Sequence, residues 1–229
     1  VFPADAGVQQ LVATYHAAAV PLAQRPVGQV TAAILRQPGP SLESPLGNLI
    51  ADAQLHATRL PGQGGAQISF MNPGGVRADL VPAVDGSVTY GQLFSVQPFG
   101  NTLMVMSLTG EQIRQALEQQ FDSGSNTVSA PRILQVSEGF SYRFDRSQPA
   151  GRRVSELRLN GRRLEMSQHY RVGLQSYLGS GGDNFSIFTQ GIDVVGGMLD
   201  LDALAEHVRE QSRSGPMALS LKEPYAHVN

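Results

Sequence analysis

The spacing of hydrophobic residues changes along the chain, and this change limits the possible folds more than any other feature. Residues 5–23 carry hydrophobic side chains at helical spacing. From Arg132 to Ser176 the period is two, as Phe140, Tyr142 and Phe144 show. Because helical and strand segments mix without strict alternation, the sequence predicts an α+β, or mixed α/β, fold.

Local signals place the individual elements. Helices are predicted over 5–23 (ended by Pro21 and Pro26), from Ser44 to about Arg59, and over Leu93–Val96, Gly110–Phe121 and Asp200–Arg213. Strands are predicted over Val27–Leu35, Ala66–Met71 (a central strand), Leu103–Leu108, Val154–Leu159, Arg162–Leu164 and Tyr170–Ser176, with a loop over Gln37–Pro40. Ser44-Pro45 is typical of a helix start, and Asn160-Gly161 is typical of a tight hairpin turn.

Composition argues against several classes of function. The net charge of -2 argues against a nucleic-acid partner, because proteins that bind a nucleic-acid backbone usually carry a strongly basic face. Cysteine is absent, and the five histidines lack metal-ligand spacing, so no metal or cysteine site is predicted in this chain. Lys222 is the one lysine, which excludes a Walker A loop. No apolar run approaches 18 residues, so no membrane span is predicted.

The segment from Asn72 to Arg77 reads Asn-Pro-Gly-Gly-Val-Arg and follows the apolar strand. Gly74 and Gly75 would let a ligand approach the backbone at a strand end, where α/β sheets usually bind ligands. Asn72 offers a donor and an acceptor, and Arg77 offers a planar fork of donors. A tight turn with a surface arginine is the competing interpretation.

A second glycine-rich segment runs from Tyr177 to Phe185 and contains Gly181-Gly182-Asp183. The carboxylate of Asp183 could accept hydrogen bonds from two vicinal sugar hydroxyls. A simple hairpin loop explains the same residues equally well.

Phe99 stands between Pro98 and Gly100 at the entrance of a predicted strand. It could fill the core or form a platform on which a nucleobase stacks. An arginine-rich stretch follows later in the chain, at Arg143, Arg146, Arg152, Arg153, Arg158, Arg162, Arg163 and Arg171. Its two interpretations are a solvated sheet face and a contact with an acidic partner or polyanion.

Five segments occur in an order and spacing that resemble one family. They are Glu43–Ala53, Met71–Leu80, Val88–Phe94, Gln97–Asn101 and Gly181–Phe185. Together they resemble the C-terminal domain of the 5'-nucleotidases, which include UDP-sugar hydrolases and 2',3'-cyclic phosphodiesterases. The resemblance implies a mixed sheet flanked by helices, with residues 1–28 as an interdomain linker helix remnant and 29–229 as the substrate-binding domain.

The resemblance also assigns roles to the motif residues. Phe99 and Tyr177 match the two rings that sandwich the base, and Asp183 matches the group that holds the ribose hydroxyls. Asn72 and Arg77 match residues that face the base and the substrate. The predicted substrate-binding residues are Asn72, Gly74, Gly75, Arg77, Phe99, Tyr177, Gly182 and Asp183.

Catalysis in that family resembles two-metal hydrolysis in a separate N-terminal metallophosphatase domain. The Asp-x-His and Gly-Asn-His motifs of that domain do not occur here. The chain is therefore expected to bind a nucleoside or nucleotide without hydrolysing it, while two divalent metal ions would be held by the N-terminal domain of the parent. The chain begins at Val1 without methionine, so a processed or excised piece is expected, and a periplasmic or extracellular location follows from the resemblance.

Two other functions stay open at this point. The chain could belong to a related hydrolase of non-nucleotide substrates, such as a thiosulfate-ester hydrolase. It could also be a free-standing nucleoside-binding or adhesion module without any catalytic half. Base preference, oligomeric state and the form of the phosphate group do not follow from the sequence.

Overall fold

The structure, a computed structural model, describes residues 5–39 and 42–219, together with the backbone of Tyr225–Val228. Residues 1–4 of the predicted linker segment lie outside the described residues, as do 220–224 and 229 of the predicted substrate-binding domain. Pro40, at the end of the predicted loop, and Lys222 are among the residues outside the description. The α-helices are α1 (Ala6–Ala23), α2 (Pro45–Thr58), α3 (Tyr90–Val96), α4 (Gly110–Glu118), α5 (Ser176–Gly179) and α6 (Asp200–Gln211). The strands are β1 (Pro26–Gln29), β2 (Ile68–Met71), β3 (Ser87–Thr89), β4 (Thr102–Thr109), β5 (Asp122–Ser123), β6 (Asn126–Thr127), β7 (Gln135–Val136), β8 (Phe140–Asp145), β9 (Val154–Leu159), β10 (Arg162–Arg163), β11 (His169–Gln175), β12 (Ile192–Leu199) and β13 (Tyr225–Val228).

A mixed five-stranded sheet in the order β12-β4-β11-β2-β7 forms the centre of the fold. In this sheet β11 runs parallel to β2 and antiparallel to β4. A second sheet has the order β10-β9-β8-β13, and two-stranded ribbons join β1 to β3 and β5 to β6. The predicted mixed α+β fold is confirmed.

Hydrophobic clusters cover both faces of β2. Ile68 and Phe70 belong to a cluster shared with the second sheet, where Phe70 meets Phe140 edge to face at 5.6 Å. Met71 belongs to a cluster shared with α2, α3 and α6. Because successive side chains of a strand point to opposite faces, both clusters hold β2 in place. The polar segment that follows β2 therefore starts from a rigid point.

Several local predictions are confirmed. The Ser44 side chain accepts a hydrogen bond from the Gly47 N–H, and α2 begins at Pro45 as expected. Asn160 and Gly161 have φ values of 50° and 78° and join β9 to β10 in a hairpin. Glycine and asparagine tolerate this left-handed region better than other residues do.

Of three further local predictions, one is wrong and two are confirmed. The strand expected over Val27–Leu35 ends at Gln29, because Val30 and Ile34 then pair with different neighbours in isolated bridges. Helix α1 confirms the helix predicted over 5–23, since it runs from Ala6 through Pro21 to Ala23; a proline in the last turn removes one hydrogen bond and leaves the cap at Gln24 intact. The predicted central strand is also confirmed, since β2 is buried and pairs with β11 on one side and with β7 on the other.

Candidate functional site

The chain topology brings the predicted motifs to one edge of the five-stranded sheet. Since β2 and β11 are parallel neighbours, their carboxyl ends lie side by side, with Asn72 directly after β2 and Tyr177 just after β11. Strand β4 runs the opposite way, so Phe99 and Asn101 precede it at the same edge. Ligands of α/β sheets commonly bind beyond such strand ends.

A cavity of about 470 Å³ opens at this edge. It is lined by Asn72, Gly74, Gly75, Arg77, Phe99, Asn101, Arg132, Gln175, Tyr177 and Asp183. This volume falls within the range of roughly 300–1,000 Å³ that is typical of small-molecule sites. The lining includes every predicted site residue except Gly182, together with three residues that the sequence analysis did not select: Asn101, Arg132 and Gln175.

The carboxylate of Asp183 is the polar centre of the cavity. Its Oδ2 accepts a hydrogen bond of 2.6 Å from the Asn72 side chain, and its Oδ1 accepts one of 3.2 Å from the Tyr177 hydroxyl. Arg132 Nη1 lies 3.3 Å from Oδ1. The Asp183 side chain is 12% exposed, so these donors replace most of the water that a free carboxylate would bind.

Asn72 holds Asp183 instead of presenting both of its polar atoms to the open cavity. The residue is 1% exposed, and its Oδ1 accepts a hydrogen bond of 2.9 Å from Gln175 Nε2. Gln175 in turn accepts a hydrogen bond from the Leu178 N–H at the start of α5. A continuous chain of hydrogen bonds therefore ties the ends of β2 and β11 to the carboxylate.

The backbone around Asp183 adopts an unusual conformation. Asp183 and Asn184 have φ values of 53° and 67°, in the left-handed region that costs energy for residues other than glycine. The hairpin of β5 and β6 holds this turn: the Asn126 side chain donates to the Asp183 carbonyl, and the Ser123 hydroxyl donates to the Asn184 carbonyl. Strain of this kind is typical of functional loops, where the surrounding structure maintains it.

Two aromatic side chains also line the cavity. Phe99 is 59% exposed and Tyr177 is 50% exposed, so neither ring fills the core. This result excludes the core interpretation of Phe99. The Arg77 guanidinium carbon lies 5.7 Å from the centre of the Phe99 ring, and Arg77 donates to the Gly74 carbonyl. Exposed rings in a concave site offer flat apolar surface for stacking.

The glycines make this close packing possible. A Cβ atom on Gly74 would lie 2.8 Å from Asp183 Oδ2, and one on Gly75 would lie 2.5 Å from the Met71 methyl carbon. Gly182 lies against the Tyr177 ring, where a Cβ atom would approach ring carbons to 2.5 Å. Gly182 therefore supports the Tyr177 ring from outside the cavity lining.

Asn101 connects the cavity to the start of α6. Its side chain donates to Asp200 Oδ2 at 3.4 Å, and its carbonyl accepts from the Asp200 N–H. Burial raises the pKa of Asp200 above its usual value, and hydrogen bonds from Leu201 and Asn101 oppose that rise. Asp200 is a buried support of the cavity wall.

Other candidates from the sequence lie away from the cavity. Arg171 donates to Gly64 and Ser107, and Arg143 and Arg158 both lie near Glu156. Gln175 and Arg132 carry no local sequence signal, because strand pairing brings Gln175 to the site and the segment between β6 and β7 brings Arg132 there. No group of three potential metal-binding side chains comes together within the described ranges 5–39 and 42–219. In these same ranges, no helix has both the length and the apolar character needed to cross a bilayer.

The family described as "5'-nucleotidase, C-terminal domain" matches residues 26–190. The chain therefore belongs to this family, as its motifs predicted. It is 36% identical, over 73% of its length, to the trifunctional nucleotide phosphoesterase protein YfkN of Bacillus subtilis, and covers 11% of that protein. It is 33% identical, over 79% of its length, to the cell wall protein Lmo0130 of Listeria monocytogenes, of which it covers 23%.

Solved structures show the same fold. The 5'-nucleotidase precursor of Thermus thermophilus matches 99% of the chain at a TM-score of 0.78 and 31% identity, with 44% of that protein covered. The sulfate thiohydrolase SoxB of the same species matches 99% at a TM-score of 0.72 and 17% identity, with 39% covered, which shows the fold alone. The chain thus spans less than half the length of each of these proteins.

Proposed function

We propose that this chain is the nucleoside-binding domain of a longer 5'-nucleotidase-type phosphoester hydrolase. The observation that carries this proposal is the placement of two half-exposed aromatic rings and a carboxylate around one cavity. A nucleoside offers complementary groups, since its base has two apolar faces and its ribose has two vicinal hydroxyls. Base stacking on an aromatic side chain contributes about 1–3 kcal/mol.

In this proposal Phe99 and Tyr177 hold the base between them, while Asp183 accepts hydrogen bonds from the ribose. Arg77 is anchored on Gly74 and keeps further donors that can reach an anionic part of the substrate. Binding of the base and sugar would hold the phosphate in place for reaction elsewhere, and such positioning lowers the barrier to reaction. Asn72 would act by fixing Asp183.

The hydrolytic groups belong, in this proposal, to an N-terminal metallophosphatase domain of the parent protein. The described residues gather no trio of metal-binding side chains, and the relatives named above are longer than this chain. The two divalent metal ions implied by the resemblance would be held in that domain, where metals supply charge stabilisation for phosphoester hydrolysis. The isolated chain is expected to bind nucleosides and to show no hydrolysis.

A location outside the cytoplasm is part of the same proposal. It is supported by the similarity to a Listeria protein described as a cell wall protein. Fractionation of the native host, followed by detection of the chain with an antibody, would test it. Recovery in the cytoplasmic fraction alone would contradict this part of the proposal.

The main test is thermal unfolding of the chain with adenosine, uridine, AMP or thiosulfate. A ligand present at a hundred times its dissociation constant stabilises by about 2.7 kcal/mol. For a domain of this size that corresponds to a rise in Tm of roughly 5–10 °C. Nucleosides should produce this rise and thiosulfate should not. A rise with thiosulfate alone would favour the non-nucleotide hydrolase.

Substitutions assign the effect to the cavity. Phe99→Ala and Tyr177→Ala should each remove the nucleoside-dependent rise, because each removes one stacking surface. Phe94→Ala is the matched control, since Phe94 is also exposed (52%) but does not line the cavity. Equal losses in all three variants would contradict the proposed site.

A further inference from the structure

Arg132 is a cavity residue outside the motifs that carry the family resemblance. It follows Pro131 in the segment between the β5–β6 hairpin and β7. Its side chain is 41% exposed, compared with 12% for its partner Asp183. The guanidinium is therefore the more solvent-exposed partner of this pair, and the carboxylate is the more buried one.

The acceptor sites of Asp183 are largely occupied. A carboxylate has about four lone-pair sites, and Asn72, Tyr177 and Arg132 already approach three of them. Asp183 by itself can therefore accept few hydrogen bonds from a sugar. Each hydroxyl of a sugar also carries lone pairs that need a donor when the sugar leaves water.

Arg132 can supply these missing donors. A guanidinium has five N–H groups in a planar fork, and the described residues give this one a single polar side-chain partner, Asp183 at 3.3 Å. The adjacent carboxylate neutralises the guanidinium and would repel a phosphate group in the same place. A neutral, oxygen-rich group such as a vicinal diol fits this pair of charges better than an anion does.

We propose that Arg132 determines the preference of this site for ribose over 2'-deoxyribose. In this arrangement Arg132 donates a hydrogen bond to a ribose hydroxyl oxygen whose proton is accepted by Asp183. The inference rests on the proposed nucleoside-binding function and narrows its substrate class to ribonucleosides and their phosphates.

The test compares the dissociation constants of adenosine and 2'-deoxyadenosine by calorimetry. The unaltered chain should bind adenosine about ten- to a hundredfold more tightly, as expected for hydrogen bonds that involve charged groups. Arg132→Met should lose most of this ratio by weakening adenosine binding, with little change for 2'-deoxyadenosine. Arg132→Lys, which keeps a charged donor, should restore part of the ratio.

Arg143→Met is the matched control. Arg143 is also exposed (52%) and lies 3.5 Å from a single carboxylate, that of Glu156, but it does not line the cavity. This variant should keep both dissociation constants, and the Tm of each variant should stay near that of the unaltered chain.

An unchanged ratio in Arg132→Met would overturn the inference alone. If both dissociation constants rose by the same factor, the variant would show a general supporting role for Arg132; if neither changed, it would show no role in binding. Failure of the unaltered chain to bind adenosine would instead contradict the proposed function, and the inference with it.

Discussion

The two walls of the cavity differ in how firmly they are held. The polar wall around Asp183 is buried and cross-linked, since Asn72, Gln175 and Asn126 each connect it to another element. The aromatic wall is exposed: the solvent-exposed fraction of Phe99 is 59%, and the Arg77 guanidinium carbon lies 5.7 Å from the centre of its ring. The site therefore combines a rigid, buried polar part with an exposed aromatic part.

This difference has a functional reason under the proposed function. Hydrogen bonds to a sugar depend strongly on distance and angle, so their donors and acceptors must be fixed before the ligand arrives. Stacking tolerates variation, because every base has an apolar face. The polar wall would therefore select the sugar, while the aromatic wall would accept different bases.

The largest expected effect concerns the attachment of the polar wall to the core. Phe185 follows the Asp183-Asn184 turn and is fully buried, so Phe185→Ala should lower the free energy of unfolding by about 3–5 kcal/mol. Urea unfolding would measure this loss. Phe94 is exposed, so Phe94→Ala should change the free energy of unfolding by less than about 0.5 kcal/mol. Similar losses in both variants would show that the turn is not anchored through Phe185.

The next effect concerns the hydrogen-bond chain within the polar wall. Asn72→Ala would leave Gln175 Nε2 without its acceptor, and Asp183 Oδ2 would lose the donor of its 2.6 Å hydrogen bond. Because both groups are largely buried, the loss of stability should be about 1–3 kcal/mol by urea unfolding.

Asn101→Ala is the comparison for that variant. Asn101 lines the same cavity, but its side-chain hydrogen bonds to Asp200 and Ser176 are longer, at 3.4 Å. It should cost less than Asn72→Ala. The reverse order would contradict the description of Asn72 as the main connection between the strand ends.

A smaller, pH-dependent effect is expected from Asp200. Burial raises its pKa in the folded state, so the folded protein holds this proton more tightly than the unfolded chain does. The contribution of Asp200 to stability therefore falls as pH rises from its ordinary pKa of 3.8 through the raised value. Asp200→Asn should gain stability relative to the unaltered chain across this window.

Asp145→Asn should give the opposite slope. Hydrogen bonds from Ser147 and Gln148 lower the pKa of Asp145, so its contribution is present above 3.8 and is lost as pH falls through the lowered value. Urea unfolding of both variants between pH 3 and 7 (roughly the acid limb of the stability curve) would measure these slopes. Slopes of the same sign would contradict the assigned causes.

The smallest expected change in stability belongs to the aromatic wall. Phe99→Ala removes an exposed ring and should change the free energy of unfolding by less than about 0.5 kcal/mol. The same variant should lose about 1–3 kcal/mol of nucleoside binding. A marked fall in Tm without ligand would show that Phe99 supports the fold, and would remove the contrast between the two walls.

Much of the site was predictable because its residues lie in short motifs. The Asn72–Arg77 and Gly181–Phe185 segments combine glycines with polar residues after strands, and this local signal, with the aromatic residues Phe99 and Tyr177, identified seven of the cavity residues. Arg132, Gln175 and Asn101 were not selected as site residues. Gln175 belongs to a strand pattern, and Arg132 follows an ordinary loop, so their neighbours along the chain do not mark them.

Exposed elements were also harder to predict than buried ones. Every residue of β12 is exposed, and its sequence contains the pair Gly196-Gly197, which weakens the strand signal. This strand forms because β4 pairs with it at the sheet edge. By contrast, β2 is buried on both faces, and its apolar run alone was sufficient to predict it.

Short segments of the sequence were enough to predict the mixed fold class, the start of α2, the β9–β10 hairpin and the family, because each signal lies within residues that are close together in the chain. The tertiary structure sets which groups meet: the parallel pairing of β2 with β11 places Asn72 beside Gln175 across 103 residues, and the pairing of β7 with the other side of β2 brings the segment of Arg132 to Asp183. It also decided that Asn72 supports the carboxylate and that Phe99 remains exposed. Contacts between distant segments depend on packing of the whole chain, which local spacing does not encode.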